Sequence, residues 1–236
     1  MKQFAIIGVG NFGVRMLDEL SDIECEILIL DKDRDLVEKY KDKVAAAFIA
    51  DVMDEETITR LIPSTIDAAI VDLGGRVEVS TLVTHYLPKM GIKKIIVKAE
   101  TDEHGEILSI VGATDVIFPS REAAKRVAPL LTSPLMFSFL PIGSGLVIAE
   151  VKVPERYYGM TLVEADLRRT TGLNVIAIRK ELGGDYSFFS QEYRLQPDDV
   201  FLLAGSEEKV TVFAGNKLFM RKKGISRVLK DFFKRS

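Results

Sequence analysis

At 236 residues, with 47% apolar and 28% charged side chains and a formal net charge of −3, the chain has the composition of one large or two small globular domains. Its single cysteine, Cys25, excludes a disulfide framework and reads as a small core side chain in a reducing compartment. The longest apolar region, Pro134–Val151, is broken by Pro134, Pro141, Gly143 and Gly145 and so excludes a membrane span, and the first apolar run is strand-length rather than signal-like. That run, Phe4–Gly8, feeds the turn Gly8-Val9-Gly10-Asn11-Phe12-Gly13. A helix-patterned stretch follows to about Leu20, and Glu26–Leu30 leads into Asp31, 18 residues past Gly13.

This is a G-x-G-x-x-G turn between a strand and a helix, with an acid at the tip of the next strand. Gly8 permits the tight turn, Gly10 lets the backbone approach a pyrophosphate, and Gly13 lets the helix pack closely on the strand. The free N–H groups and positive end of the helix starting near Asn11 suit a phosphate. Asp31 can accept both hydroxyls of an adenosine ribose, which argues against a 2′-phosphate there. The segment therefore predicts an adenine-nucleotide site.

Lys32–Tyr40 reads as a surface helix and Val44–Ala50 as the third strand. Asp51, followed by Val52, lies where the adenine of a bound nucleotide would rest, although a plain turn residue is an equal reading. Asp54 suits an N-cap for the helix Glu55–Leu61. The fourth strand, Ala68–Val71, ends in Asp72-Leu73-Gly74-Gly75, whose glycines either admit a ligand close to the backbone or simply turn the chain into the helix Glu78–Lys89. Lys93–Lys98 is the fifth strand, and Lys98 at its tip either reaches a phosphate or is a solvated strand-end lysine. Thr101 caps the helix Asp102–Val111, Val116–Phe118 is the sixth strand, and Arg121–Leu131 is a further helix. The alternation over Met1–Leu131 predicts a six-stranded, mostly parallel, doubly wound Rossmann-type α/β sheet.

Around Thr132–Gly145 the pattern changes to a sticky, linker-like apolar stretch. Gly145–Val153, Tyr158–Leu167 with a helical face, Asn174–Arg179, Tyr186–Ser190, Arg194-Leu195 and Pro197–Leu203 then predict a compact α+β module of short strands. The last segment is basic: from Asn216 to Ser236 there are eight bases and one acid, +7, which leaves −10 for Met1–Gly215. Val228, Leu229, Phe232 and Phe233 share one helical face there, so the tail either lies on anionic lipid or an acidic partner or is a plain surface helix.

Motifs for chemistry on a bound nucleotide are missing. There is no Tyr-x-x-x-Lys pair, P-loop, Gly-x-Ser-x-Gly elbow or His/Cys metal spacing. His85 and His104 both fall inside predicted helices and read as structural. No catalytic or metal residue is assigned. A small NAD-dependent oxidoreductase is the alternative class, disfavoured by the missing acid–base set. A nucleotide-sensing repressor is a third, against which the acidic body speaks.

The order of segments resembles the regulatory subunits of the Trk/Ktr potassium-uptake systems, the RCK or KTN family. The residues carrying the likeness are Phe4–Gly13 with Asp31, Ala50-Asp51, Ile96–Glu100, and His104-Gly105 with Ile110–Pro119. In the C-terminal module they are Gly159–Leu162, Gly172–Arg179 and Leu195–Asp199, so the match spans about residues 1–214.

The resemblance implies a nucleotide-binding domain with crossover helix and hinge at 1–138, a small α+β regulatory domain at 139–214, and the tail at 215–236. It implies a non-enzymatic gating subunit that binds ATP, ADP or NAD(H), cytoplasmic and peripheral on the inner face of the membrane. Its partners would be a TrkH/KtrB-like potassium-conducting membrane subunit and further copies of itself, as a dimer within an octameric ring, with no nucleic acid. By position, Gly8, Gly10, Asn11, Phe12 and Gly13 would form the phosphate turn, Asp31 and Lys32 the ribose side, Asp51 and Val52 the adenine side, and Gly74 and Lys98 the phosphate side. Ktr-type members often carry arginine where this chain has Asn11, and a cation-binding glutamate after the proline where it has Ser120. Neither a γ-phosphate switch nor an inter-subunit cation site is carried over.

Overall fold

The structure, a computed structural model, describes residues 1–216 apart from Leu182, Phe189 and Gln191. The basic helix read at 228–233 lies outside the described residues. The chain divides into two compact units, Met1–Pro119 and Ser120–Ser236.

The first unit alternates strand and helix throughout. In order come β1 (Lys2–Ile7), α1 (Asn11–Ser21), β2 (Cys25–Asp31), α2 (Arg34–Tyr40), β3 (Ala46–Ile49), α3 (Glu55–Leu61), β4 (Ala68–Val71), α4 (Val77–Lys89), β5 (Ile95–Lys98), α5 (Asp102–Val111) and β6 (Asp115–Ile117). The strands form one six-stranded parallel sheet in the order β3-β2-β1-β4-β5-β6. Strand order reverses between β1 and β4, so the carboxyl ends of those two strands flank a crevice. Ile6, Ile7, Leu30, Ala69 and Val71 are fully buried, as expected of central parallel strands covered on both faces. Helix starts follow local chemistry: Asp33 accepts from the N–H groups of Asp35 and Leu36, Asp54 from Thr57, and Thr101 from His104.

Helix α6 (Pro119–Thr132) starts on the last residue of the first unit and otherwise belongs to the second, which continues with β7 (Met136–Gly143), β8 (Leu146–Lys152), α7 (Leu162–Ala165), α8 (Leu167–Thr171), β9 (Asn174–Lys180), β10 (Asp199–Ser206) and α9 (Glu207–Phe213). Its four strands form an antiparallel sheet ordered β7-β8-β10-β9, over a core of its own that includes Val151, Leu173, Phe201, Leu203 and Val210.

Several expectations change here. The stretch read as a linker is strand β7, with Met136 and Phe139 buried in the core. Its register shifts between Met136 and Ser138, which breaks the period of two and hides the strand in the sequence. Pro141 is tolerated because β7 lies at the sheet edge. The boundary expected between 138 and 139 falls inside this strand. The helical face read over Tyr158–Leu167 is split into two short helices at Asp166, whose φ is +40°. In the stretch read as a strand at Tyr186–Ser190, Ser187 makes an isolated bridge to Ile178.

Candidate nucleotide site

The turn after β1 is shaped by what surrounds each glycine. Gly8 has φ +89° and donates its N–H to Leu30 O at 2.8 Å. A Cβ on Gly8 would lie 2.1 Å from the backbone oxygen of Asp72, and one on Gly13 2.5 Å from the backbone oxygen of Gly8. No side chain fits at either place, which is why helix α1 can sit so close to β1. Phe12 packs partly into the core formed by Ile6, Val9 and Leu17, while Asn11 is exposed.

Asp31 closes one end of the crevice. Its Oδ2 accepts from Val9 N–H at 2.7 Å and its Oδ1 from Asp33 N–H at 2.9 Å. Both carboxylate oxygens are thus oriented by backbone and each retains a lone pair for a ligand hydroxyl. Lys32, beside it, is exposed. At the end of β3, Asp51 is exposed and accepts from Met53 N–H at 3.1 Å, a local turn bond, while Val52 is 4% exposed and belongs to the core.

On the β4 side the structure brings forward a residue the sequence reading passed over. Asp72 is 2% exposed, and its Oδ2 accepts from the N–H groups of Phe12 at 2.9 Å and Gly13 at 3.0 Å. A strand-end carboxylate therefore caps the first turn of α1 from sixty residues away. A Cβ on Gly10 would lie 2.5 Å from that same Oδ2, so Gly10 is needed for the carboxylate as much as for any ligand. Lys98 Nζ lies 3.3 Å from Asp72 Oδ1 and 2.9 Å from Glu100 Oε1. Burial alone would lower the Lys98 ammonium, but the hydrogen bond to Glu100 and the field of Asp72 outweigh it and raise it above its usual value. Lys98 is thus a paired ammonium, neither free nor simply solvated. Gly74 has φ +63° with open space around it, and Arg76 turns its Nε back onto Leu73 O at 3.4 Å.

His104 is 2% exposed, and its Nε2 lies 2.8 Å from Ser80 Oγ, which itself donates to Val77 O. Burial pushes its imidazole below the usual value, against the opposing charge of Glu100. The imidazole is thus packed between α4 and α5 in its neutral form. His85 is on the exposed side of α4.

Among the described residues no group of three His, Cys, Asp or Glu side chains is placed to hold a metal ion, and no helix is long and apolar enough to cross a membrane.

Residues 4–119 match the TrkA-N domain and residues 146–214 the TrkA-C domain. The chain is 31% identical over 212 residues to the Ktr system potassium uptake protein C of Bacillus subtilis (strain 168), covering 90% of this chain and 96% of that protein. It is 32% identical over 179 residues to the Ktr system potassium uptake protein A of Vibrio alginolyticus, covering 76% and 81%. Among solved structures, the GsuK channel bound to NAD superposes with a TM-score of 0.63 at 18% identity, over 91% of this chain but only 39% of that one. That likeness concerns the fold. With both domains matched in order and a relative aligned almost end to end, the chain belongs to the TrkA-N/TrkA-C family that includes the Ktr potassium-uptake proteins.

Proposed function

We propose that this chain is a nucleotide-sensing regulatory subunit of a membrane potassium-uptake system. The observation that carries the reading is the crevice between β1 and β4, with its glycine turn, the N–H groups of Gly10 and Asn11 at the start of α1 and the backbone-oriented Asp31, in a chain matching Ktr proteins along nearly its whole length. The ligand is an adenine nucleotide, ATP, ADP or NAD(H). Gly8, Gly10, Asn11, Phe12 and Gly13 would shape the phosphate turn, Asp31 and Lys32 the ribose side, Asp51 and Val52 the adenine side by backbone and exposed edge, and Gly74 with Lys98 the far phosphate side.

The partner is a potassium-conducting membrane subunit, on whose cytoplasmic face copies of this chain assemble into a ring, octameric by the family's pattern. The subunit does no chemistry on its ligand. It acts through a coupling free energy: the nucleotide must bind one ring conformation more tightly than the other, and the pore responds to the shift. An oxidoreductase reading would need a poised proton relay at the crevice, and His104 is instead held neutral against Ser80.

Rubidium influx in host cells with and without this gene tests the proposal. Loss of influx on deletion, restored by the natural gene but not by Asp31→Ala, supports it. Unchanged influx at every external potassium concentration overturns it, as does turnover of NADH by the purified chain with a carbonyl substrate.

A further inference from the structure

The end of α1 that would receive the ligand's phosphates already holds an anion. Of its first-turn N–H groups, those of Phe12 and Gly13 are taken by Asp72 Oδ2, at 2.9 and 3.0 Å. Those of Gly10 and Asn11 have no protein acceptor among the described residues. The Asp72 side chain is wholly buried, so water does not screen it. One full negative charge is set against a helix end worth roughly half a positive one. The cation facing it, Lys98 at 3.3 Å, is shared with Glu100 at 2.9 Å. Asp31 stands at the other end of the turn, bonded to Val9 N–H. Asp72 and Glu100 against Lys98 leave the phosphate side of the crevice one charge negative.

Such a site penalises phosphate charge. The diphosphate of a dinucleotide is a diester with a single ionisation on each phosphate. The terminal phosphate of ADP or ATP is a monoester with a second ionisation near neutral pH. We propose that Asp72 is a specificity determinant, a built-in anion at the phosphate turn that selects an adenine dinucleotide over ADP and ATP. The proposal rests on the nucleotide-site reading above and names the ligand class within it. Coulomb attenuation over a few ångströms at a half-wet protein surface makes the effect on the order of tenfold in affinity per added charge.

Calorimetric titration of the full chain with NADH, ADP and ATP, without divalent metal, tests it, alongside Asp72→Asn. The asparagine oxygen keeps an acceptor for Phe12 and Gly13 while the charge is removed. The natural chain should bind NADH at least about tenfold more tightly than ATP, and Asp72→Asn should narrow that ratio by about tenfold, mainly through a gain in ATP affinity. ATP binding as tightly as NADH in the natural chain, or a ratio unchanged by Asp72→Asn, overturns the proposal. If Asp72→Asn does not fold, as judged by circular dichroism, Glu100→Gln decides: it removes a second charge from the same cluster at a half-exposed position. A narrower ratio supports the proposal and an unchanged one overturns it. A natural chain that binds none of the three instead overturns the nucleotide-site reading, a result distinct from loss of selectivity.

Discussion

Gly13→Ala isolates the steric demand at the heart of the crevice. In an exposed helix the change would stabilise by about 1 kcal/mol, because alanine is the better helix former. Here the new methyl would sit 2.5 Å from Gly8 O and 3.3 Å from Ile6 Cγ2, where ordinary contact begins at 3.4 Å. The oxygen cannot retreat. Gly8 is fixed by its N–H bond to Leu30 O and by the backbone of Asp72 pressing on its other side. Overpacking against so rigid a neighbour costs typically ~1–3 kcal/mol. At 2.5 Å the overlap falls at the upper end of that range, so after the helix gain a net loss of about 1–2 kcal/mol remains, or a fall in melting temperature of roughly 4–8 °C for a domain of this size. Gly75→Ala is the control: its Cβ meets nothing within 4 Å and its φ is not left-handed, so it should stay within about 0.5 kcal/mol. Thermal and urea unfolding of the full chain, followed by circular dichroism, give both numbers. A Gly13→Ala variant that melts at or above the natural chain would refute the packing argument.

Other consequences can be checked alongside. Asp31→Ala removes the charged acceptor held by Val9 and Asp33 and should weaken every adenine nucleotide by about tenfold or more with little loss of secondary structure; equal affinity in calorimetry would dismiss Asp31 as the ribose contact. Because burial holds His104 below its reference value of 6.5, the unfolded chain binds its proton first. The His104 contribution is therefore fully present above pH 6.5 and is lost as pH falls from there towards the lower folded value, with a slope of at most ~1.4 kcal/mol per pH unit. Denaturation midpoints at pH 7.5 and 5.5 should differ, and His104→Gln should flatten the difference. In the second unit, Tyr193 Oη donates within hydrogen-bonding distance of both oxygens of the buried Asp199, at 2.8 and 2.9 Å, beside Gln196 N–H at 2.7 Å. Tyr193→Phe should cost about 1–2 kcal/mol in urea unfolding, and a neutral result would mean that water replaces the hydroxyl there.

The β1–α1–β2 segment was legible in the sequence because its turn admits few residues: glycine at three fixed places and an acid at the next strand tip. The six parallel strands were equally plain, since apolar runs covered on both faces stand out against polar helix surfaces. Asp72 was not legible as a cap. A strand-end aspartate looks like any turn residue, and its role appears only once β4 pairs with β1 and brings it beneath Phe12 and Gly13. Lys98 was singled out, but its partners were not, for the same reason of long-range placement. In the second unit, β7 was masked by its shifted register. There the sequence signal is local and weak while the structural constraint comes from distant strands.

The order β7-β8-β10-β9 also bears on how the second unit is made. Neighbours β7 and β8 are joined by a short turn and can pair as soon as both exist, but β9 touches β8 only through β10, which arrives last. Until residues 199–206 are available, a nascent chain holds one hairpin and one unattached strand, with the inner edges of β8 and β9 both open. Closing the sheet must then bring β10 back across roughly fifty residues to β8, a loop closure made before its contacts reward it. Synthesis of this protein therefore carries its greatest exposure to misassociation between neighbouring nascent chains late in translation, in the interval before β10 is inserted.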